Sequence, residues 1–362
     1  MANTLAYGFI GLEELSKERV NTVGVPRIWD AIMQSAAEHT RQVNELMASF
    51  VERTTEAKQR FQQPGAGTLQ PIDEWGVPQP VREEGYYDVA YPIQGGAHAW
   101  GTNRVSRALM TVKEANRQTV EAIRRDADWI RRHLLAAVFD NVSWTFNDRV
   151  GANGNDGLGS ITIEPLANGD TVAYLKTSGG TATDTHYLAQ ASAIDDSNDP
   201  FDDIYTELME HPGNAGGAVV VYVPTNLTST IEALTAFVPV ADPEIAYGAS
   251  TDLLRGSISA GFGQEVLGRV DKCWIVEWQN LPDNYMLAHA QGGGPVLKMR
   301  EYPAPELQGF FPEDHSPNGN LEVLRMIRYA GFGVVNRTGA VVYRIGNGSY
   351  GIPSGYDAPL AV

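Results

Sequence analysis

Between Gln62 and Thr102 the chain carries Pro64, Gly65, Gly67, Pro71, Gly76, Pro78, Pro80, Gly85, Pro92, Gly95, Gly96 and Gly101. No helix survives that density of residues lacking an N–H or a Cβ. The same segment holds Trp75, Tyr86, Tyr87, Val89, Tyr91, Ile93 and Trp100, which favour extended strands, so it is not a solvated linker. A loop this long, rich in aromatics and poor in helical signal, needs more apolar cover than its own subunit offers. The expectation is an extended loop, 62–102, that lies on a neighbouring chain.

Helical patterns flank this loop. From Pro26 to about Phe61 the apolar positions Ile28, Trp29, Ile32, Met33 and Ala36, then Val43, Leu46, Met47, Phe50 and Val51, repeat at helical spacing on both sides of His39, with Pro26 suited to the first turn. This predicts a helix over 26–61 after an arm over 1–25. From about Asn103 to Phe139 a narrow stripe of Val105, Leu109, Val112, Val120, Ile123, Ala127, Ile130, Leu134 and Val138 is surrounded by charge. That reads as an exposed amphipathic rod, roughly 50 Å long at 1.5 Å rise per residue.

After the rod the chain is β-rich. Strands are expected at 142–146, 160–166 and 171–175, the last two joined by the turn signal Asn168-Gly169-Asp170. Short helices are expected at 201–210 and 227–237 around a buried strand at 217–223, and a loop at 240–262. Further strands are expected at 265–270, 273–278, 285–289, 296–302, 323–335 and 340–345, with a tail over 346–362. The fold class is therefore α+β.

A net charge of −17 argues against gripping nucleic acid or an anionic membrane, which requires clustered Lys and Arg. Cys273 is the only cysteine, so neither an intrachain disulfide nor a cysteine-based zinc site is expected. Apolar runs such as Ala218 to Val223 and Val334 to Val342 are far shorter than the ~20 residues of a membrane helix. The first ten residues lack the pattern of a signal peptide.

Chemistry-bearing motifs are sparse. Gly151 to Gly159 resembles a phosphate-cradling loop only in its glycines, since no Lys-Ser/Thr closes it, and a plain connection is the reading. The cluster Asp195, Asp196, Asn198, Asp199, Asp202 and Asp203 lacks the spacing of a calcium loop and reads as a solvated loop and helix cap. The histidines His39, His98, His133, His186, His211, His289 and His315 show no zinc spacing, and no nucleophile elbow is present. The sequence thus assigns no catalytic residue, no cofactor and no metal. Arg124, Arg125, Arg131 and Arg132 interleave with Glu121, Asp126 and Asp128, which points to ion pairs within the helix or between subunits instead of a nucleic-acid patch.

The order of arm, helix, extended aromatic loop, long rod and mixed β/α region resembles that of the HK97-fold major capsid proteins of tailed bacteriophages. Tyr91-Pro92-Ile93-Gln94-Gly95-Gly96-Ala97-His98-Ala99-Trp100, leading to Asn103-Arg104, resembles that family's descent from extended loop into spine helix. Phe139-Asp140-Asn141 with Trp144-Thr145-Phe146 resembles the turn from spine helix to sheet. Gly268 to Val276 with Asn284-Tyr285-Met286, and Tyr329 to Arg337, resemble later strands of the family.

The resemblance implies an HK97-like capsid fold with N-terminal arm and helix, extended β-hairpin loop, long spine helix, and peripheral and axial domains. The matching segments are arm 1–25, helix 26–61, extended loop 62–102, first peripheral part 103–176, axial domain 177–322, peripheral return strands 323–346 and tail 347–362. It implies self-assembly into pentamers and hexamers of an icosahedral shell that encloses double-stranded DNA without specific binding. A separate scaffolding protein, a portal and a decoration protein are the implied partners. Trp75, Tyr86, Tyr87, Tyr91 and Trp100 become candidate interface anchors, with Arg124, Arg125, Arg131 and Arg132 beside them. Covalent cross-linking through the loop is not expected, because no lysine occurs between Lys58 and Lys113. Competing readings are an encapsulin-like protein compartment, a soluble hydrolase-like enzyme, and a tail or decoration protein.

Overall fold

A computed structural model describes residues 9, 15–47, 50–62, 74–76, 86–103, 109–148, 159–173, 181–214, 216–240, 264–314 and 321–360. The Gly151 to Gly159 loop, apart from Gly159, and the expected loop 240–262, apart from Val240, lie outside these residues, as does most of the arm.

Two sheets and a long helix organise the chain. The larger sheet has seven strands in the order β11 (Phe237–Pro239), β12 (Gln264–Val270), β13 (Cys273–Trp278), β10 (Val219–Val223), β14 (Tyr285–Ala290), β18 (Ala340–Ile345) and β9 (Tyr187–Gln190). Its central strand β10 is buried on both faces, as its unbroken apolar run predicts. Val219, Val221 and Val223 face α4 (Phe201–Met209) and α5 (Thr225–Glu232), whose Phe201, Ile204, Leu208 and Ile231 complete that core. Val220 and Tyr222 face the opposite way, into a core shared with the rod helix.

The second sheet has five strands. β17 (Leu321–Val334) runs through it, pairing with β4 (Gln94–Asn103) along most of its length, with β16 (Phe310–Asp314) on its other side, and with β15 (Leu297–Arg300) near its end. β1 (Val51–Thr54) adds in parallel to β15. The rod, α3 (Val112–Phe139), spans both cores over 28 residues, about 42 Å. Its first half packs Ala115, Ala122 and Ile123 against Ile28, Ala31, Ile32 and Ala36 of α2 (Val25–Met47), which follows the short α1 (Val20–Val23). Its second half sends Ile130, Leu134, Leu135 and Val138 toward the large sheet.

Several sequence expectations are corrected. The helix expected over 26–61 ends at Met47, and the chain continues as β1 and β2 (Lys58–Gln62). Phe50 and Val51 keep helical spacing, but pairing of Val51–Thr54 with Leu297–Arg300 overrides that local pattern. The rod begins at Val112 instead of Asn103, because residues through Asn103 are held as strand by β17. Gly96 is required there: a Cβ would stand 2.8 Å from Trp129 Nε1 of the rod.

Asn168-Gly169-Asp170 does not make the expected hairpin. β6 (Ile161–Ile163) pairs back to β5 (Trp144–Phe146), and β7 (Asn168–Ala173) pairs forward to β8 (Thr181–Thr185). Gly169, at φ 81°, instead forms a bulge at the start of β7.

The sheets also divide the chain differently from the expected segments. β15 and β16 belong with β17, whereas β18, expected among the return strands, lies inside the seven-stranded sheet. The tail is anchored, since Tyr350 and Tyr356 pack on the main core and Leu360 is buried.

Candidate assembly surface

β2 and β3 (Tyr86–Ala90) form an antiparallel stem, with Phe61 opposite Tyr87 and Lys58 opposite Ala90. The stretch between them is the breaker-rich loop, so the expected extended hairpin has its base here. The base is fixed by buried contacts. Tyr91 donates its hydroxyl to Gln59 Oε1 at 2.9 Å, its backbone N–H to Ala57 O at 2.9 Å, and its carbonyl accepts Arg300 Nη1 at 2.9 Å. Arg300 is itself buried and paired with Asp148 at 2.8 Å.

The nine sequence candidates separate accordingly. Trp75 is 84% exposed, the most exposed large apolar side chain among the described residues. Burying a tryptophan of this kind at an interface releases a large apolar area from water. Tyr91 is the correction: it is 0% exposed and packs with Val89, Val335, Phe61 and Tyr87, so it builds the hairpin base and presents no surface. Tyr87 is half-buried, stacked on Phe61 with ring centroids 5.3 Å apart. Tyr86 and Trp100 lie in β3 and β4, but their side chains fall outside the described residues.

On the rod, Arg125 pairs with Glu121 at 2.8 Å one turn earlier. Arg131 pairs with Asp128 at 3.0 Å and donates to Asn280 Oδ1 at 2.9 Å, tying the rod to the turn that follows β13. Arg124 and Arg132 are exposed. The same-helix alternative therefore accounts for Arg125 and Arg131. Surface pairs of this kind contribute little to stability, and they leave a mixed-charge face on the rod.

The acidic cluster caps local structure. Asp195 accepts the Ser197 and Asn198 N–H groups, Asp196 accepts the Thr235 N–H and hydroxyl, and Asp199 accepts the Phe201 N–H at the start of α4.

Sequence reasoning missed two buried polar clusters. Asp126 of the rod joins His39 of α2 and Arg328 of β17. Asp184, His186 and His211 converge beside Glu207 and Glu210. Burial raises the Asp184 carboxyl, but hydrogen bonds from His186 and His211 outweigh it and hold the group well below the usual carboxylate range. Burial, and then the neighbouring Asp184, push Glu207 up to about 9. Neither cluster has a short-range motif, since His39 is separated from Asp126 by 87 residues and His186 from His211 by 25.

No protein-family model matches the chain, and no curated protein matches it in sequence. In three dimensions it is similar to a protein of Mycobacterium phage Patience, with a TM-score of 0.65 at 20% identity, covering 100% of both chains. It is also similar to a chain of the mature capsid of bacteriophage PhiM1, with a TM-score of 0.48 at 10% identity over 82% of this chain and 84% of the other. A chain of a virus-like particle from Pyrococcus furiosus gives 0.40 at 12% identity over 86% and 98%. The match to the Patience protein concerns architecture: this chain shares that phage protein's mixed α+β fold.

Proposed function

We propose that this chain is the major capsid protein of a tailed phage, a structural subunit that assembles into pentamers and hexamers of an icosahedral shell around double-stranded DNA. The observation that carries the reading is the fold match to a phage protein, covering 100% of both chains. The hairpin supports it, because its base is buried in the subunit while its described tip exposes Trp75.

In this reading β2–β3 and the loop between them are the extended loop, and α3 is the spine helix. The five-stranded sheet with α2 and α3 forms the peripheral domain, and the seven-stranded sheet with α4 and α5 forms the axial domain. The formal charge of −17 fits confinement of DNA without specific contacts. Scaffolding, portal and decoration proteins are the partners this role calls for, and the virion is its location.

Cryo-electron microscopy of the chain, expressed alone and with its scaffolding protein, tests the proposal. Closed angular shells with pentameric and hexameric units, and the 62–86 loop lying on an adjacent subunit, are expected. Shells filled with protein cargo would indicate an encapsulin-like compartment. A monomer or small oligomer under both conditions would refute the capsid reading.

A further inference from the structure

A buried convergence of three ligand-type side chains belongs to neither the hairpin nor the rod. Asp184 is in β8, His186 links β8 to β9, and His211 lies in the turn after α4. Asp184 Oδ2 is 3.0 Å from His186 Nε2 and 3.1 Å from His211 Nε2, and the two ring nitrogens are 3.0 Å apart. All three residues are buried.

One ring hydrogen in this triangle is fixed by its partner. His186 Nδ1 is 2.8 Å from the Ala340 carbonyl oxygen, which only accepts, so Nδ1 carries the hydrogen. His186 Nε2, on the other side of that ring, is turned toward Asp184 and His211. Asp184 Oδ1 accepts the Thr185 N–H at 2.7 Å, and Oδ2 faces the imidazoles. Three potential ligand atoms a hydrogen-bond length apart in a buried site are held together by a shared proton or by a metal ion between them.

An ion about 2.0–2.1 Å from each donor, the ordinary zinc distance to nitrogen and oxygen, fits over this triangle with ligand angles of ~95°. Two imidazoles and one carboxylate suit a first-row divalent ion, whereas calcium and magnesium take oxygen ligands. The outer support is also present, because the Ala340 carbonyl fixes the tautomer and orientation of His186, as backbone acceptors do for ligating histidines. The backbone of His186 is pinned as well, with its N–H on Ala167 O and its carbonyl accepting the Val342 N–H. On one side the site borders a cavity of about 660 Å³, which His211, Pro212 and Gly213 help to line.

We propose that Asp184, His186 and His211 bind one divalent transition-metal ion of the zinc type, clamping the β8–β9 connection to the end of α4. This is a structural brace within the subunit, independent of whether the subunit builds a shell.

The test uses the full-length chain, stripped with EDTA, titrated with zinc chloride and dialysed. The expected result is about one zinc retained per chain, by mass spectrometry of the metal, with a rise in Tm. Cobalt substitution should give visible absorption of mixed nitrogen and oxygen coordination, and excess calcium or magnesium should not displace the metal. D184N, which keeps the side-chain volume, and H211Q should each weaken retention by more than about 10-fold. If a variant fails to fold, the wild-type titration and cobalt spectrum decide. A wild-type chain that retains no zinc, its histidines held by a proton alone, overturns the proposal, as does retention unchanged in D184N and H211Q.

Discussion

Arg328 donates Nε and Nη2 to the two oxygens of Asp126, at 2.7 and 2.8 Å, in a pair both of whose side chains are buried. His39 Nε2 approaches the same carboxylate at 2.8 Å. One carboxylate therefore joins three elements distant in sequence: α2, the rod and β17. Such a pair stabilises little against an apolar replacement, but removing one member leaves a buried charge uncompensated.

Asp126→Ala is accordingly expected to destabilise the subunit by about 3–5 kcal/mol, measured by denaturant unfolding. Replacing both partners, as in Asp126→Leu with Arg328→Met, should cost clearly less than the single change. Equal losses would show that the charge pairing is not the source of the effect.

The same group sets an acid limit. Burial raises the Asp126 carboxyl, but the Arg328 charge and the His39 hydrogen bond outweigh it, so the folded-state pKa lies below the ordinary value. A depressed carboxylate supplies stability that is fully present above its unfolded value, near 3.9, and is lost as pH falls through the folded one. Stability of the wild type should therefore drop as pH is lowered below about 4. Part of that slope should be missing in Asp126→Asn, as read from unfolding curves across pH.

Tyrosine hydroxyls close the C-terminal end of the rod. Tyr187 donates to Asp140 O at 2.5 Å, with Val138 O at 3.2 Å, and Tyr350 donates to Phe139 O at 2.6 Å. Carbonyls in the last turn have no partner within their own helix, and no basic side chain stands in that turn. Tyr187→Phe and Tyr350→Phe should each cost about 1–3 kcal/mol by thermal or denaturant unfolding. Hydrogen exchange should quicken first in the last turn of the rod.

Under the proposed function, Trp75 should separate folding from assembly. At 84% exposure it contributes little to the isolated subunit, so Trp75→Ala should leave unfolding free energy within about 0.5 kcal/mol of wild type. Particle yield, measured by sedimentation and electron microscopy, should fall. Normal yield would remove Trp75 from the proposed interface.

Cys273 is buried, and burial pushes its thiol up to about 12. The thiolate is the reactive form, so native protein should resist maleimide labelling at neutral pH and label fully in denaturant. Rapid labelling of native protein would show local opening of the large sheet around β13.

How much of this was legible before the structure depends on the range of the interactions involved. The cores of α2 and the rod could be read because their apolar positions repeat within a few residues, and β10 because its five residues are all apolar. The end of α2 could not, because β1 forms only through pairing with β15, some 240 residues away. Asn168-Gly169-Asp170 carried a true local signal for positive φ, but tertiary pairing used it for a bulge. Trp75 and Tyr91 are alike in the sequence, both aromatics in a breaker-rich segment. Only the distant partners Arg300 and Val335 make one of them core. The histidine and aspartate clusters were hidden for the same reason.

β17 crosses the hairpin base at two glycines. A Cβ at Gly331 would stand 2.1 Å from Pro92 O, and one at Gly333 would stand 2.6 Å from Ala90 O. Substitution there cannot be absorbed by a rotamer change, since the obstructing atoms are backbone. The crossing therefore limits how related sequences can diverge. The crossing admits no side chain, whereas the exposed Trp75 of the hairpin meets no such limit within the subunit, so lineages should differ around Trp75 and agree at Gly331 and Gly333.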